Sequence, residues 1–370
     1  MIFWLFILAA FIQCSYALYF FVRIFSLPDI TQPSATMKKG VSVIICAKNE
    51  AENLRQNLPD VLSQKYGGKY EVIVVNDAST DDTGNVLKEL EQRYDHLWDV
   101  IIASEKERTL KGKKYALSKG LAAAKYDRLL LTDADCKPAS DRWLEQMVAP
   151  LGIGKEIVAG YGGYVSAPGL LNAFIRWETL HTFLQYSTYA LAGIPYMAVG
   201  RNLACTKSVL QRAQQSEVWN ALPSGDDDLL VSICSNEANT AIVCEENAFT
   251  CTHAKANWKD WMRQKQRHLS TGKYYKGDIK LLLGLYGVSH AFMWLCFFWN
   301  LSAAADGIWN LVLILMVVRC GVYWLLWGVT AGKLREKGLI FLFPFFDIGW
   351  MVYNFAFFPY IALKNKKHWK

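Results

Sequence analysis

VSVIICAKNEAENLRQNLPDVLSQKYGGKYEVIVVNDAST, residues 41–80, holds two β-branched runs around one helical pattern. VSVIICA (41–47) and YEVIVVND (70–77) are runs of strand length that end in polar residues. Between them Leu54, Leu58, Val61 and Leu62 recur at helical spacing, which gives a strand, helix, strand unit. Working outward, VIIAS (100–104) and RLLLTDAD (128–135) read as a third and a fourth strand with helical patterns between. That alternation predicts an α/β domain with a mostly parallel, Rossmann-like sheet. Ligands of such sheets bind beyond the carboxyl ends of the strands. Asn49 and Glu50 follow the first strand, Asp77 ends the second, and Asp133 and Asp135 end the fourth, so these polar residues are expected to converge.

The chemistry of that convergence starts from TDADCKP (132–138). On a strand Ala134 would point away, leaving Asp133 and Asp135 on one face, where two carboxylates repel unless a cation lies between them. A hard divalent ion, Mg²⁺ or Mn²⁺, held by a carboxylate and by phosphates of a substrate, relieves that repulsion. Haloacid-type phosphatases also carry such a pair, but on the first strand of their domain. In NDASTDDT, Ser79 and Asp81 suit the cap of the next helix, while Asp77, at the strand end, can accept hydrogen bonds from a base or ribose. Lys113 and Lys114, in KGKKYAL, read as a solvated cluster or stand where an ammonium could meet a diphosphate. SGDDDLL (224–230) stacks three acids before a helical run. The helix dipole accounts for two of them, and one with a raised pKa could act as a general base. In WMRQKQRHL (261–269), a basic amphipathic pattern, Gln264 and Arg267 share a face. His253 and His268 lack metal-ligand spacing.

Composition adds a membrane. Of 370 residues 52% are hydrophobic and 14% aromatic, and residues 1–22 carry no charge, enough for an uncleaved anchor over 1–25. Apolar runs return at 281–299, 308–329 and 339–363, so one N-terminal and two to three C-terminal transmembrane helices are expected. The last run, interrupted by Pro344, Asp347 and Pro359, is either a span or a re-entrant segment. The resulting plan is a globular domain over 38–255, basic interface helices over 256–280, membrane segments over 281–363 and a basic tail at 364–370. Net charge is +7, and residues 255–280 hold eight Lys or Arg against two Asp. Interleaved Trp and Tyr beside an apolar span favour an anionic membrane surface over nucleic acid. Positive charge at Arg23, Lys38 and Lys39 and in GKLREKG (332–338) places the globular domain on the cytoplasmic side of the inner membrane. The nine cysteines form no CxxC pair and read as reduced packing residues.

Together these residues resemble a membrane-bound family 2 glycosyltransferase with a GT-A fold. CAKNEAENL resembles the family's N-terminal nucleotide-binding stretch, VVNDASTDDT its second-strand Asp, GKKYAL its Gly-Lys stretch and TDADC its metal-binding DxD. VGRNLACTKSVL (199–210) resembles an acceptor-side loop, SGDDDLL stands at the acidic catalytic motif and QKQRH at QxxRW. The resemblance implies an inverting transfer from a nucleotide-diphosphate sugar, a UDP-sugar by preference, to a lipid-linked hydroxyl, with a divalent metal as cofactor. By the same resemblance Asn49, Glu50, Asp77 and Lys113 would hold the donor. Asp133 would hold the ribose or the metal and Asp135 the metal, Asp226 or Asp227 would be the base, and Arg201, Asn202, Gln264 and Arg267 would contact the acceptor or close the site. Gly225 stands where the family usually has Glu, and His268 replaces the Trp of QxxRW, which weakens the processive reading. The closing segments look more like ceramide glucosyltransferase and bacterial lipid glycosyltransferases. A processive polysaccharide synthase and a non-catalytic nucleotide-sugar-binding or scaffold protein are the alternatives.

Overall fold

The structure is a computed structural model that describes residues 1–28, 39–303 and 308–363. Lys38, part of the loop before the first strand and the basic tail at 364–370 lie outside those residues. The strands are β1 (Val41–Ala47), β2 (Tyr70–Asp77), β3 (Leu97–Ile102), β4 (Arg128–Asp133), β5 (Lys137–Pro138), β6 (Ile157–Gly160), β7 (Gly162–Tyr164), β8 (Leu203–Thr206), β9 (Thr240–Val243) and β10 (Thr250–Thr252). The helices are α1 (Ile2–Tyr19), α2 (Ala51–Leu62), α3 (Thr83–Glu91), α4 (Lys113–Ala123), α5 (Trp143–Val148), α6 (Leu170–Leu191) and α7 (Lys207–Gln214), continuing with α8 (Glu217–Ala221), α9 (Asp228–Cys234), α10 (Trp258–Leu269), α11 (Gly277–Ala303), α12 (Ile308–Lys333) and α13 (Phe343–Leu363).

Seven strands form the main sheet in the order β3-β2-β1-β4-β8-β6-β9, and β5, β10 and β7 form a small second sheet. β1 lies parallel between β2 and β4, with Val41 opposite Tyr70 and Arg128 and with Cys46 opposite Asp133. β8 runs antiparallel to both β4 and β6, so the sheet is mostly parallel, as the sequence predicts. The pleat of β1 sends Ile44 into one core with Ala116, Leu117 and Leu121 of α4, while Val43 and Ile45 join Leu54 and Leu58 of α2 on the other face. This two-sided burial explains why the early strands read as unbroken apolar runs.

Two strands differ in their bounds from the sequence reading. β3 starts three residues before the predicted 100, and β4 ends at Asp133, with Asp135 in a turn closed by the Cys136 amide donating to the Asp133 carbonyl at 3.1 Å. The two acids therefore converge through a tight turn and not through strand alternation.

Among the described residues, four helical stretches are long and apolar enough to cross a membrane: Ile2–Ser26, Gly277–Ser302, Trp309–Lys333 and Lys337–Ala356. The last is a continuous helical run rather than the interrupted one that Pro344 and Asp347 suggested. Pro344 sits in the first turn of α13, where its missing N–H is no loss. Asp347 is 4% exposed because α11 and α12 meet it with donors. Trp294 Nε1 donates to it at 3.0 Å, His290 Nε2 lies 3.1 Å away, and the Arg319 guanidinium engages both of its oxygens. Arg319 also reaches Gln13 of α1, which donates in turn to Ser289 at 2.9 Å. One polar cluster thus joins all four helices.

Helix α6 carries the α/β domain on that bundle. Arg176 pairs with Glu336, just past α12, and Glu178 pairs with Lys265 of α10, all four side chains being largely buried. Removing one partner of a buried pair leaves an uncompensated charge. Arg319→Leu should therefore destabilise the detergent-solubilised protein by roughly 3–5 kcal/mol, read as a lowered thermal midpoint. The double replacement of Arg319 and Asp347 by Leu should recover most of the loss. Equal midpoints for Arg319→Leu and the parent would show that the pair is not holding the bundle.

Candidate active site

The loops after β1 and β2 are sewn together first. Asn49 adopts a left-handed backbone (φ 57°), which asparagine tolerates, and its Oδ1 accepts from the Thr80 amide at 2.8 Å. Its own amide donates to Ser79 Oγ at 3.0 Å, and the amides of Glu50 and Ala51 donate to Thr83 and Asp81. Ser79 and Asp81 thus hold the neighbouring loop as well as suiting a helix cap. Asn49 works here as a loop fastener. Glu50 accepts from Asn53 at 2.6 Å, and its carboxyl is raised by burial, with Asp135 and Asp133 close enough to add to the effect.

Asp77 ends β2 at 5% exposure. Arg108 of the β3–α4 connection pairs with its Oδ2 at 3.0 Å, and its Oδ1 is buried with no hydrogen-bond partner. A buried acceptor without a donor costs free energy, so this oxygen is available to a ligand N–H or O–H.

Asp133 and Asp135, with Cys136, form a group whose ligand atoms all lie within 4.8 Å of one another. Cys136 is buried and its Sγ donates to Asp135 at 3.4 Å, which gives one of the predicted packing cysteines a place beside the acids. All nine cysteines are free. Lys113, the first residue of α4, pairs with Asp133 and lies 3.6 Å from Asp226. Burial acts to raise the Asp133 carboxyl, but Lys113, and beyond it Arg201 and Arg267, hold it below its usual value. Those last two residues are thus brought to the acids by the fold. The Arg201 guanidinium stacks on Tyr164 at 4.5 Å, while Arg267 is exposed on α10 beside the half-buried Gln264.

The acidic loop resolves into three different jobs. Gly225 takes φ 80°, a conformation that excludes the usual Glu without strain. Asp227 accepts from the Gly200 amide at 2.6 Å and from the Asp228 amide at 2.8 Å, so both oxygens are used in holding the loop. Burial, then Asp226 and Asp228, push its carboxyl up to about 7. Asp228 accepts from Thr271 and from Tyr275 at 3.0 Å, tying the loop to the segment after α10. Asp226 is the acid that faces Lys113.

Asn202 corrects the sequence reading. It is fully buried and all of its side-chain polar atoms are engaged: Trp143 donates to its Oδ1 at 2.9 Å, and its Nδ2 donates to the carbonyls of Tyr161 and Ala248 at 2.8 Å. It fixes the loop that presents Arg201 and has nothing left for an acceptor. Conversely, Arg108, Thr271 and Tyr275 matter here and escaped the sequence reading as site residues, and Lys114, read with Lys113 as a diphosphate cation, instead donates to the carbonyls of Trp219, Leu222 and Ser224. Lysines and arginines of KERTLKGKK look alike as a solvated run, and nothing local marks Thr271 or Tyr275.

Burial also raises Asp228 to about 6, against the hydrogen bonds from Thr271 and Tyr275. The fold then holds that proton more tightly than the unfolded chain, so its contribution is present below about pH 4 and is lost as pH rises through about 6. Asp228→Asn cannot titrate. Its thermal midpoint relative to the parent should climb between pH 4 and pH 7, by the equivalent of roughly 2–3 kcal/mol, and a pH-independent offset would refute the shift.

Comparison with known proteins agrees with this geometry. Residues 42–197 match the family model of Glycosyl transferase family 2. The probable glycosyltransferase YdaM of Bacillus subtilis (strain 168) is 29% identical over 245 residues, covering 63% of this chain and 55% of that protein. Glycosyltransferase AglE of Haloferax volcanii is 37% identical over 122 residues, 32% of this chain and 38% of its own. The chain thus spans about half, or less, of the length of the curated relatives it matches. Among solved structures, the mannosyltransferase PcManGT of Pyrobaculum calidifontis superposes with a TM-score of 0.58 at 17% identity, covering 94% of this chain and 99% of that one, a likeness of fold. Residues 42–197 thus match a family 2 glycosyltransferase domain, and the fold around them is of GT-A architecture.

Proposed function

We propose that this protein is an inverting glycosyltransferase that moves a sugar from a nucleotide-diphosphate sugar, a UDP-sugar, to a lipid-linked hydroxyl at the cytoplasmic face of the inner membrane. The observation that carries the reading is Lys113 set between Asp133 and Asp226, which puts a fixed cation between an acid pair and a separate carboxylate at the strand ends. Such a cation suits a departing diphosphate, and such a carboxylate suits an acceptor proton. Four apolar helices and the basic α10 support the membrane and lipid part.

The donor set fits a hard divalent cation, since two carboxylates converge there and the neighbouring thiol is buried. Asp135 and Asp133 would hold Mn²⁺ or Mg²⁺, which when bound offsets charge on the diphosphate. PcManGT, of the same fold, is described in complex with GDP-Man and Mn²⁺. The unpartnered oxygen of Asp77 would accept a hydrogen bond from the base or ribose, with Glu50 nearer the acids. Asp226 takes the proton of the acceptor hydroxyl as that oxygen bonds to the anomeric carbon. The bond from that carbon to the diphosphate breaks on the opposite face, and the nucleoside diphosphate leaves with the electron pair, met by Lys113 and Arg267. Arg201 and Gln264 would border the acceptor side.

A second reading, a processive polysaccharide synthase, draws support from relatives of that kind: poly-beta-1,6-N-acetyl-D-glucosamine synthase of Staphylococcus epidermidis, like those of Staphylococcus aureus, is 31% identical over 97 residues, 26% of this chain and 22% of that protein.

Membranes carrying the protein, given radiolabelled UDP- and GDP-sugars with Mn²⁺ or Mg²⁺, should place label in short, solvent-extractable lipid. Asp135→Ala or chelation by EDTA should abolish it. Label in a long, lipid-insoluble chain would select the synthase, and no transfer from any donor would overturn both. Asp226→Asn should cut transfer at least about 100-fold while titration with UDP gives a Kd within about threefold of the parent. Unchanged turnover would remove Asp226 as the base.

A further inference from the structure

Lys114 follows Lys113 and is fully buried, an unusual place for an ammonium. It sits in the first turn of α4, where successive side chains diverge by about 100°, so Lys113 reaches the strand-end acids while Lys114 points into the acidic loop. There it donates to three backbone carbonyls, those of Trp219, Leu222 at 3.0 Å and Ser224 at 2.8 Å. An ammonium has three N–H donors, so each has an acceptor. The same nitrogen lies 4.8 Å from the centroid of the Trp219 indole, and the indole N–H donates to the Asp226 carbonyl at 3.4 Å. Two flanking residues close the clamp. Gly112 has φ 62°, and a Cβ there would lie 2.0 Å from the Pro223 carbonyl oxygen. Lys111 Nζ donates to the Ala221 carbonyl at 3.3 Å.

We propose that Lys114 is a positioning residue: with Gly112 it clamps the 219–224 backbone against the start of α4 and so fixes Asp226 relative to Asp133. The Trp219 carbonyl belongs to the five-residue helix α8 and those of Leu222 and Ser224 to the loop after it, and short loops alone do not hold a carboxylate to within half an ångström of a working position. One helix start instead supplies both the cation between the acids and the cation under the loop, so the distance between Asp133 and Asp226 is set by two adjacent residues. Burial lowers the pKa of this ammonium to about 8, against the nearby charges of Asp226, Asp228 and Asp227. The inference rests on the reading of Asp226 as the base.

The test uses the full-length protein in detergent, with activity expressed per UDP-binding site. Lys114→Met should lower kcat by about 10- to 100-fold while the UDP Kd moves by less than about threefold. Gly112→Ala, which disturbs the clamp from the other side, should give the same split. Because Lys114 acts through Asp226, the Lys114→Met, Asp226→Asn double variant should be no more than about twofold slower than Asp226→Asn. Hydrogen exchange, with no substrate present, should accelerate at amides 219–228 in Lys114→Met and remain unchanged in β1 and β4. A kcat within about twofold of the parent, or losses that multiply in the double variant, would overturn the proposal. Should the parent transfer no sugar, the role of Asp226 as base falls, and the exchange result alone decides whether the clamp holds the loop.

Discussion

Carboxylates gathered at the ends of strands repel one another, and Lys113 is the cation that lets them stay together. Two unit charges about 4 Å apart interact by roughly 4 kcal/mol where the effective dielectric is near 20, a sizeable fraction of the stability of a domain. Asp133 arrives from β4 and Asp226 from the loop before α9, almost one hundred residues later, and one side chain at the start of α4 touches both. Without that ammonium, placing either acid near the other would raise the cost of ionising it. The same arrangement would suit a diphosphate, as proposed above, because a lysine already drawn to a carboxylate edge is a preorganised counter-charge.

The surrounding structure can be understood as support for that bridge. α4 is anchored on the sheet through Ala116, Leu117 and Leu121, so its first residues are fixed in space. The acidic loop is pinned on one side by Asp227 to Gly200 and on the other by Asp228 to Thr271 and Tyr275, residues of the segment that leads into α11. Through Asp228 the loop is in contact with the segment just before the first C-terminal apolar helix. Helix α6 completes the link from below, with Arg176 and Glu178 paired to Glu336 and Lys265. Polar contacts thus join the α/β domain to the segments flanking the helical bundle, Arg335 with Glu246 among them, and the bundle itself is tied by Arg319 and Asp347. In an apolar medium such a pair is tolerable only when each charge finds its partner.

Much of the donor side was legible in the sequence. Asp77, Asp133 and Asp135 stand where a parallel strand stops, and the carboxyl edge of such a sheet is a ligand site for reasons of topology alone. Less was legible where a residue's role depends on a distant partner. Asn202 looks like a polar loop residue suited to an acceptor, yet Trp143, Tyr161 and Ala248 consume its hydrogen bonds. Asp347 looks like an interruption in an apolar run until Arg319 and His290 are seen facing it. Arg108 and Lys114 sit in one basic run, and only their burial against Asp77 and the Trp219 loop separates them from solvated neighbours.

By itself the sequence determined the α/β alternation, the apolar helices and the strand-end acids, because hydrophobic period, span length and turn chemistry are local properties of a chain. The tertiary structure decided which of Asp226, Asp227 and Asp228 faces the cation, that Asp135 enters by a turn, and that one pair of adjacent lysines serves two sites. The first and last of these depend on contacts between residues some hundred positions apart, of which the order of residues along the chain carries no local sign, while the turn at Asp135 is closed by a local backbone bond that the apolar run before it conceals.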